Sequence, residues 1–360
     1  MRKKGLLFVI AIVTVVMLTL TGCGSKQGDN SEGGDANAGG ETKIVLKLAD
    51  HLQPEHPYMK YGSVAFMERV KEESNGRIDF VHFPSEQAGA MKDQLNMVQT
   101  KIVDISSAPA AIFADQVPLS NVVNLPGWKA DNIQLTKAYY DLATDPDSTI
   151  CKNDFDKNNV KVLFTGAFPL YQIQTSKKPI KTMEDIKGLR LRSPGGSMDL
   201  IVQSLGAAPV SMPPVELYEA MQRGTIDGMY SPQESLLPQK LHEVSKYSTG
   251  NLDINGFIML WVINKDVWNT IPADLQELMV RVGKEVSYEF AQQLTTVFND
   301  ARTELEASGM TFYDLPDEEL EKMNKACAIA QTDWVSKMDK QGLPGTETFK
   351  AFEEALNKYR

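Results

Sequence analysis

The sequence predicts an α/β protein of two lobes spanned by one long helix. Strand-like and helix-like segments alternate along the chain, the arrangement that yields sheets covered by helices on both faces. The stretch from Thr42 onward runs to roughly 319 residues, more than one average domain. From Ala273 to about Ser308 there is no proline, and the only glycine is Gly283.

The elements follow in chain order. KIVLKLAD (43–50) reads as a strand and enters a proline-punctuated loop, HLQPEHPY (51–58). MKYGSVAFMERVKEES (59–74) has apolar residues at helical spacing, and RIDFVHFP (77–84) alternates like a strand. GAMKDQLNMVQTKI (89–102) predicts a helix, and VDISSAPA (103–110) a buried strand ending in small residues. NVKVLFTGAF (159–168) and GLRLRS (188–193) are strands, SMDLIVQSLGA (197–207) a helix and APVSM (208–212) a short strand. PPVELYEAMQRG (213–224) is a helix with proline at its start and glycine at its end. In the proline-free stretch, Leu275, Met279, Val282, Val286, Phe290 and Leu294 recur every three or four residues. A helix of that length is about 54 Å long at 1.5 Å per residue, too long for one lobe, so it is read as a strut along both. Two shorter helices kinked near Gly283 are the alternative.

The first residues give an address. A basic start, Met1-Arg2-Lys3-Lys4, precedes an apolar run of fifteen residues, Leu6 to Leu20. That is short of the ~20 a spanning helix needs and normal for a signal peptide. The run ends in Leu20-Thr21-Gly22-Cys23, which resembles a bacterial lipobox, so residues 1–22 are expected to be a lipoprotein signal peptide and Cys23 the lipid attachment. Residues 24–41 carry no large apolar side chain; with Cys23 they form a flexible tether, 23–41. The body is therefore expected outside the cell's cytoplasmic membrane, lipid-anchored to its outer face. It shows no further spanning stretch and cannot itself carry a solute across.

Lys and Arg number 37 against 47 Asp and Glu, a net of −10, and loss of the three basic leader residues deepens it to −13. That balance argues against nucleic acid or an anionic membrane surface as partner. An anionic ligand would need a local positive site. Cys151 and Cys327, 176 positions apart, are read as free thiols.

GLRLRS offers such a site. Its alternation puts Arg190 and Arg192 on one face and Leu189 and Leu191 on the other. The strand stops at Pro194-Gly195-Gly196, where open α/β sheets place ligands. A surface strand with both arginines paired to carboxylates is the plain alternative. The sequence lacks Gly-x-Ser-x-Gly, His-Glu-x-x-His, a P-loop and Gly-x-Gly-x-x-Gly, which speaks against an exported enzyme. Four histidines without a close His/Cys/carboxylate cluster support no metal site, and no cofactor is expected.

Residues 42–345 resemble the solute-binding proteins of TRAP transporters, the DctP family. The most specific block is KTMEDIKGLRLRSPGGSMDLIVQSLGAAPVSMPPVELYEAMQRGTIDGMYSP (181–232), supported by His56-Pro57, FPSEQAGA (83–90) and INKDVWNTIPADLQ (263–276). The resemblance implies a two-lobed, periplasmic-binding-protein-like clamshell with a long helix bridging both lobes. Lobe I would comprise 42–167 plus 257–296, and lobe II 168–256 plus 297–360. It implies an extracytoplasmic receptor, monomeric and without enzymatic activity. The receptor captures an organic acid and delivers it to small and large TRAP membrane subunits for ion-gradient-driven uptake. A binding lipoprotein reporting to a membrane sensor fits the same sequence.

By that resemblance Arg192 grips the ligand's carboxylate, a role suited to the planar two-pronged guanidinium, while Arg190 is a structural or rim charge. Two positions depart from the family pattern. Tyr171 stands where relatives that bind dicarboxylates or sialic acid commonly carry a second arginine, and Ser231 stands where asparagine is common. A pocket with less positive charge points to a monocarboxylate, hydroxylated or aromatic. Further ligand-binding candidates lie at strand ends and loops: Ser107 and Pro109, Pro214, Phe257, and Gln53 and His56. Phe257 reads equally as core, and Gln53 and His56 as loop packing.

Overall fold

The computed structural model describes residues 43–360 apart from 169–170, 253 and 255–256. The expected signal peptide, Cys23 and tether lie outside the described residues. Among the described residues the strands are β1 (Ile44–Ala49), β2 (Ile78–Phe83), β3 (Ile105–Pro109), β4 (Val160–Ala167), β5 (Gln172–Thr175), β6 (Arg190–Ser193), β7 (Ala208–Ser211), β8 (Gly228–Ser231), β9 (Tyr247–Thr249), β10 (Ile258–Asn264) and β11 (Thr311–Tyr313). The α-helices are α1 (Pro57–Met59), α2 (Ala65–Glu73), α3 (Gln94–Gln99), α4 (Asn132–Thr144), α5 (Ser197–Ser204), α6 (Leu217–Arg223), α7 (Lys265–Trp268), α8 (Ala273–Ala307), α9 (Asp317–Lys340) and α10 (Gly345–Asn357).

The strands build two sheets. One has the order β2-β1-β3-β10-β4, with β1, β2 and β3 parallel and β10 antiparallel to both its neighbours. The other runs β11-β9-β5-β8-β6-β7, with β6 parallel to β7 and β8. The chain passes from the first sheet to the second after β4, returns at β10, and leaves again along α8. This is the two-lobed α/β fold the sequence predicts.

Most expected elements form where the pattern places them. The 59–74 segment is helical throughout, though a five-residue π turn, Lys60–Val64, separates α1 from α2. The helix expected over 89–102 shrinks to a 3-10 turn and α3. Thr100 Oγ1 hydrogen-bonds the Asn96 carbonyl at 2.7 Å, and Lys101 takes a φ of 61°, which ends the helix. α6 ends as expected at Gly224, whose φ of 69° a glycine adopts without steric cost. Cys151 and Cys327 are both free thiols.

α8 is a single helix of 35 residues with no break at Gly283. Gly283 serves close approach instead: a Cβ there would collide with the backbone carbonyl of Leu163 on β4. Beside it, the register between β4 and β10 shifts at Trp261/Val262, and the Thr165 amide donates to Ser287 Oγ of α8 at 3.1 Å. Further along, Leu305 joins a cluster with Leu217, Met221 and Leu241 of the second sheet's flank. The helix is thus buried against both halves. α10 packs beside the first sheet, where Phe352 and Leu356 bury with Leu119, Val122 and Tyr139. An apolar face must find a complementary one, and α4 with the 119–124 turn offers it.

Gly283→Ala is expected to destabilise the protein by about 1–3 kcal/mol, the cost of overpacking a fixed contact. Urea denaturation measures it.

Candidate ligand-binding site

Parallel strands end together, and a cavity forms beyond their carboxyl ends. Here β6, β7 and β8 of one sheet and β1 and β3 of the other direct their C-terminal ends to a common cavity. Pro194, Pro214 and Ser231 line it from the second sheet, and His51, Pro109 and Met259 from the first. The chain crossings contribute aromatic walls, Phe168 and Tyr171 after β4 and Phe257 before β10.

Arg192 is the charged side chain among the described residues lining this cavity. Its backbone lies between β7 and β8, opposite Val210 and Met229, so the strand is held on both sides. The side chain is 4% exposed, and its Nε donates to the Met212 carbonyl at 3.1 Å. Among the described residues no carboxylate lies within ion-pairing distance of it. Burial draws its guanidinium below the usual arginine range, opposed by the nearby Tyr171, Tyr58 and Asp199. An arginine remains a cation through such a shift.

Arg190 behaves differently two residues earlier. Exposed at the sheet's rim, it forms a two-pronged pair with Asp227, Nε–Oδ2 at 3.0 Å and Nη2–Oδ1 at 2.9 Å. The two alternating arginines therefore divide into one satisfied on the surface and one buried facing the cavity.

The rest of the lining is uncharged. Burial pushes His51 down to about 3, with His56 adding to the effect, and pushes His56 down to about 4. Both rings are neutral at pH 7. His56 Nδ1 accepts from the Tyr58 amide at 3.3 Å, which leaves its proton on Nε2, buried and without a partner among the described residues. Tyr171 is 3% exposed, and its hydroxyl is raised well above the usual range, first by burial. Tyr58 and Phe168 stack at 3.9 Å between centroids, and Phe168 stacks on Phe257 at 5.1 Å.

Of the candidates read from the sequence, Arg192, Tyr171, Ser231, Pro214, Pro109 and Phe257 line this one cavity. Ser231 Oγ already donates to Gln174 at 2.7 Å. The remaining three are not among its lining residues. Ser107 hydrogen-bonds His51 at 3.2 Å, one layer behind the wall. Gln53 is exposed, and His56 caps α1. Sequence reasoning passed over Tyr58, Phe168 and Ser235, which the cavity includes. Tyr58 stood in the quoted loop motif, but its hydroxyl contacts lie 176 and 177 positions away, at Glu234 (2.9 Å) and Ser235 (2.8 Å). No local pattern signals that.

Comparison with known proteins places these features in a wider set. Residues 48–337 match the family described as DctP, bacterial extracellular solute-binding protein, family 7. The C4-dicarboxylate-binding periplasmic protein DctP of Rhodobacter capsulatus is 27% identical over 286 residues, covering 77% of this chain and 82% of that protein. A TRAP solute-binding protein from an unidentified marine microbe, described as specific for aromatic acid ligands and solved with 3-hydroxybenzoate, matches at a TM-score of 0.82 and 25% identity, over 88% of this chain and 99% of its own. A TRAP solute-binding protein of Rhodoferax ferrireducens, solved with copurified benzoate, matches at 0.81 and 24% identity, over 88% and 98%.

Tyr58→Phe is expected to cost about 1–3 kcal/mol, because it strips a hydrogen bond from the buried Glu234 and Ser235. Denaturant unfolding at pH 7 of the variant against the parent gives the difference.

Proposed function

The chain belongs to family 7 of the bacterial extracellular solute-binding proteins, the receptors of TRAP transporters, and from that premise we propose that its cavity captures an aromatic monocarboxylate through Arg192. Proteins of this family bind small molecules outside the cytoplasm and work with membrane subunits; they are receptors, not enzymes. The observation that carries the finer reading is a buried guanidinium, facing a cavity walled by stacked aromatic rings, with no carboxylate beside it among the described residues. A ligand carboxylate supplies the missing counter-charge through two parallel charge-assisted hydrogen bonds. An aromatic body matches the walls of Phe168, Tyr171 and Phe257. A second carboxylate would find no second cation among the described lining residues. The marine relative described as specific for aromatic acids supports the same class.

In this reading ligand bridges the two lobes and stabilises their closed arrangement by the contacts it makes to both. The change of sheet after β4 and the return at β10 support dividing the chain between lobes near those points, and the packing of α10 beside the first sheet supports placing it with the first lobe. The closed receptor then docks, as a monomer, on the small and large TRAP subunits, and an ion gradient drives uptake. The lipobox-like end at Cys23 supports a lipid anchor holding the receptor at the membrane's outer face. Cys23→Ser is expected to shift the protein from the membrane fraction to the soluble fraction on cell fractionation.

A thermal-shift screen against benzoate, 3-hydroxybenzoate, succinate and a neutral sugar tests the ligand class. A true ligand at 100-fold its Kd stabilises by about 2.7 kcal/mol. Stabilisation by the aromatic acids alone is expected; stabilisation by the sugar alone would remove Arg192 from this role. Arg192→Ala should weaken binding of the acid by at least about 2 kcal/mol, near thirtyfold, read by calorimetry.

A further inference from the structure

The turn following β8 holds a carboxyl that the preceding reading leaves unused. Glu234 is 1% exposed, on the 3-10 turn Gln233–Ser235. Its Oε1 accepts from the Tyr58 hydroxyl at 2.9 Å, and that hydroxyl also lies 2.8 Å from Ser235 Oγ. Tyr58 and Ser235 both line the cavity. Oε2 is buried and has no partner among the described residues.

Few charged or titratable groups bear on it. Tyr58 faces it from α1, and Tyr171 from the segment before β5. Arg192 lines the same cavity from β6. α8 lies against the turn and meets it through the Phe298 carbonyl, which accepts from Gln233 at 3.0 Å. Among the described residues no cation stands within ion-pairing distance of Glu234. An ionised carboxylate with one oxygen buried and unpaired is far costlier than the neutral acid in the same place. Burial accordingly pushes Glu234 up to about 8, against a smaller opposing effect of its backbone and Tyr58 hydrogen bonds.

Building on the monocarboxylate reading, we propose that Glu234 carries a proton whenever the cavity is filled, so that in alkaline solution capture of a carboxylate is linked to uptake of one proton. The charge count gives the reason. With Glu234 neutral, the single charge of Arg192 is free to meet one ligand carboxylate, and the filled site is neutral. With Glu234 ionised, the filled site and its wall together hold two buried negative charges against the single positive charge of Arg192. Above the midpoint of Glu234 the empty receptor has released its proton to solvent. Binding draws one proton from a buffer acid, whose bond to it breaks, onto a carboxyl oxygen of Glu234, while the ligand remains a carboxylate and the buffer is left as its conjugate base.

The experiment is calorimetric titration of the full receptor with benzoate from pH 6 to 10, in the parent and in Glu234→Gln. The parent should bind with constant affinity to about pH 8 and then weaken by up to tenfold per pH unit, the slope of one linked proton. Its heats in two buffers of different ionisation enthalpy should report proton uptake above pH 8, and the variant should show neither effect. A flat parent profile to pH 10, or an equal slope in Glu234→Gln, overturns the inference. Ligand-free melting decides the proton independently. A folded value raised above the unfolded one, about 4.3, gives stability that is complete below the unfolded value and lost as pH rises through the folded one. The parent should therefore lose melting temperature relative to Glu234→Gln between pH 5 and 8, and run parallel to it above 9. A constant gap from pH 5 to 8 overturns the inference whatever the ligand. Failure of benzoate to bind at pH 7 instead sinks the aromatic-acid reading, with the melting profiles still deciding Glu234.

Discussion

The site depends on a positive charge taken out of water without a counter-ion beside it. Burying an unpaired charge is among the costliest acts in folding, and it is tolerated only where surrounding structure enforces it. Arg192 is enforced by its place on a strand paired on both sides. β7 and β8 fix its backbone on both sides, and the Met212 carbonyl takes one of its donors. Tyrosine hydroxyls and the more distant Asp199 favour its charge, but none forms an ion pair with it. The unmet part of its electrostatic demand falls on whatever enters the cavity. Two positions away, Arg190 has the same chemistry and a bidentate partner, Asp227, and so demands nothing.

The cavity's apolar character follows from the path of the chain. Each passage between sheets leaves short linking segments at the carboxyl ends of strands, and those segments carry Phe168, Tyr171 and Phe257. Their stacking continues into Tyr58, whose hydroxyl reaches the turn after β8. The same feature that makes the fold discontinuous therefore gathers three aromatic rings beside Tyr58 of α1. Among such apolar walls electrostatic contacts strengthen as the local dielectric falls.

What was legible in the sequence was what repeats locally. Periodicity marked β1, β2, β4 and β6, and the absence of proline marked α8. The strand-end rule, with the family resemblance, placed Arg192, Pro109 and Pro214 at the cavity. Tyr171 and Phe257 came from alignment and composition. Gln53 and His56 come from the first loop, and Ser107 from the same strand end as Pro109; Gln53 is exposed, His56 caps α1 and Ser107 bonds His51. A loop or a strand end marks a neighbourhood, and tertiary contacts set where each side chain in it points. Tyr58, Phe168 and Glu234 were illegible for the opposite reason: their roles rest on contacts between segments far apart in sequence.

α8 is anchored differently along its length. Up to Leu294 it is sunk into the first half of the molecule, pressed by Gly283 onto β4 and tied by Ser287 to Thr165. Ala301 and Leu305 are buried at its far end, while residues 295–300 contain no fully buried side chain. Between those ends the helix is held from the side, by Thr295 Oγ1 donating to Asn132 at 2.9 Å and by the Phe298 carbonyl accepting from Gln233 at 3.0 Å. One unbroken helix fastened at intervals to both sheets cannot follow a change in the angle between them without bending. Such a change would strain the helix's own backbone hydrogen bonds, and so would carry an elastic cost.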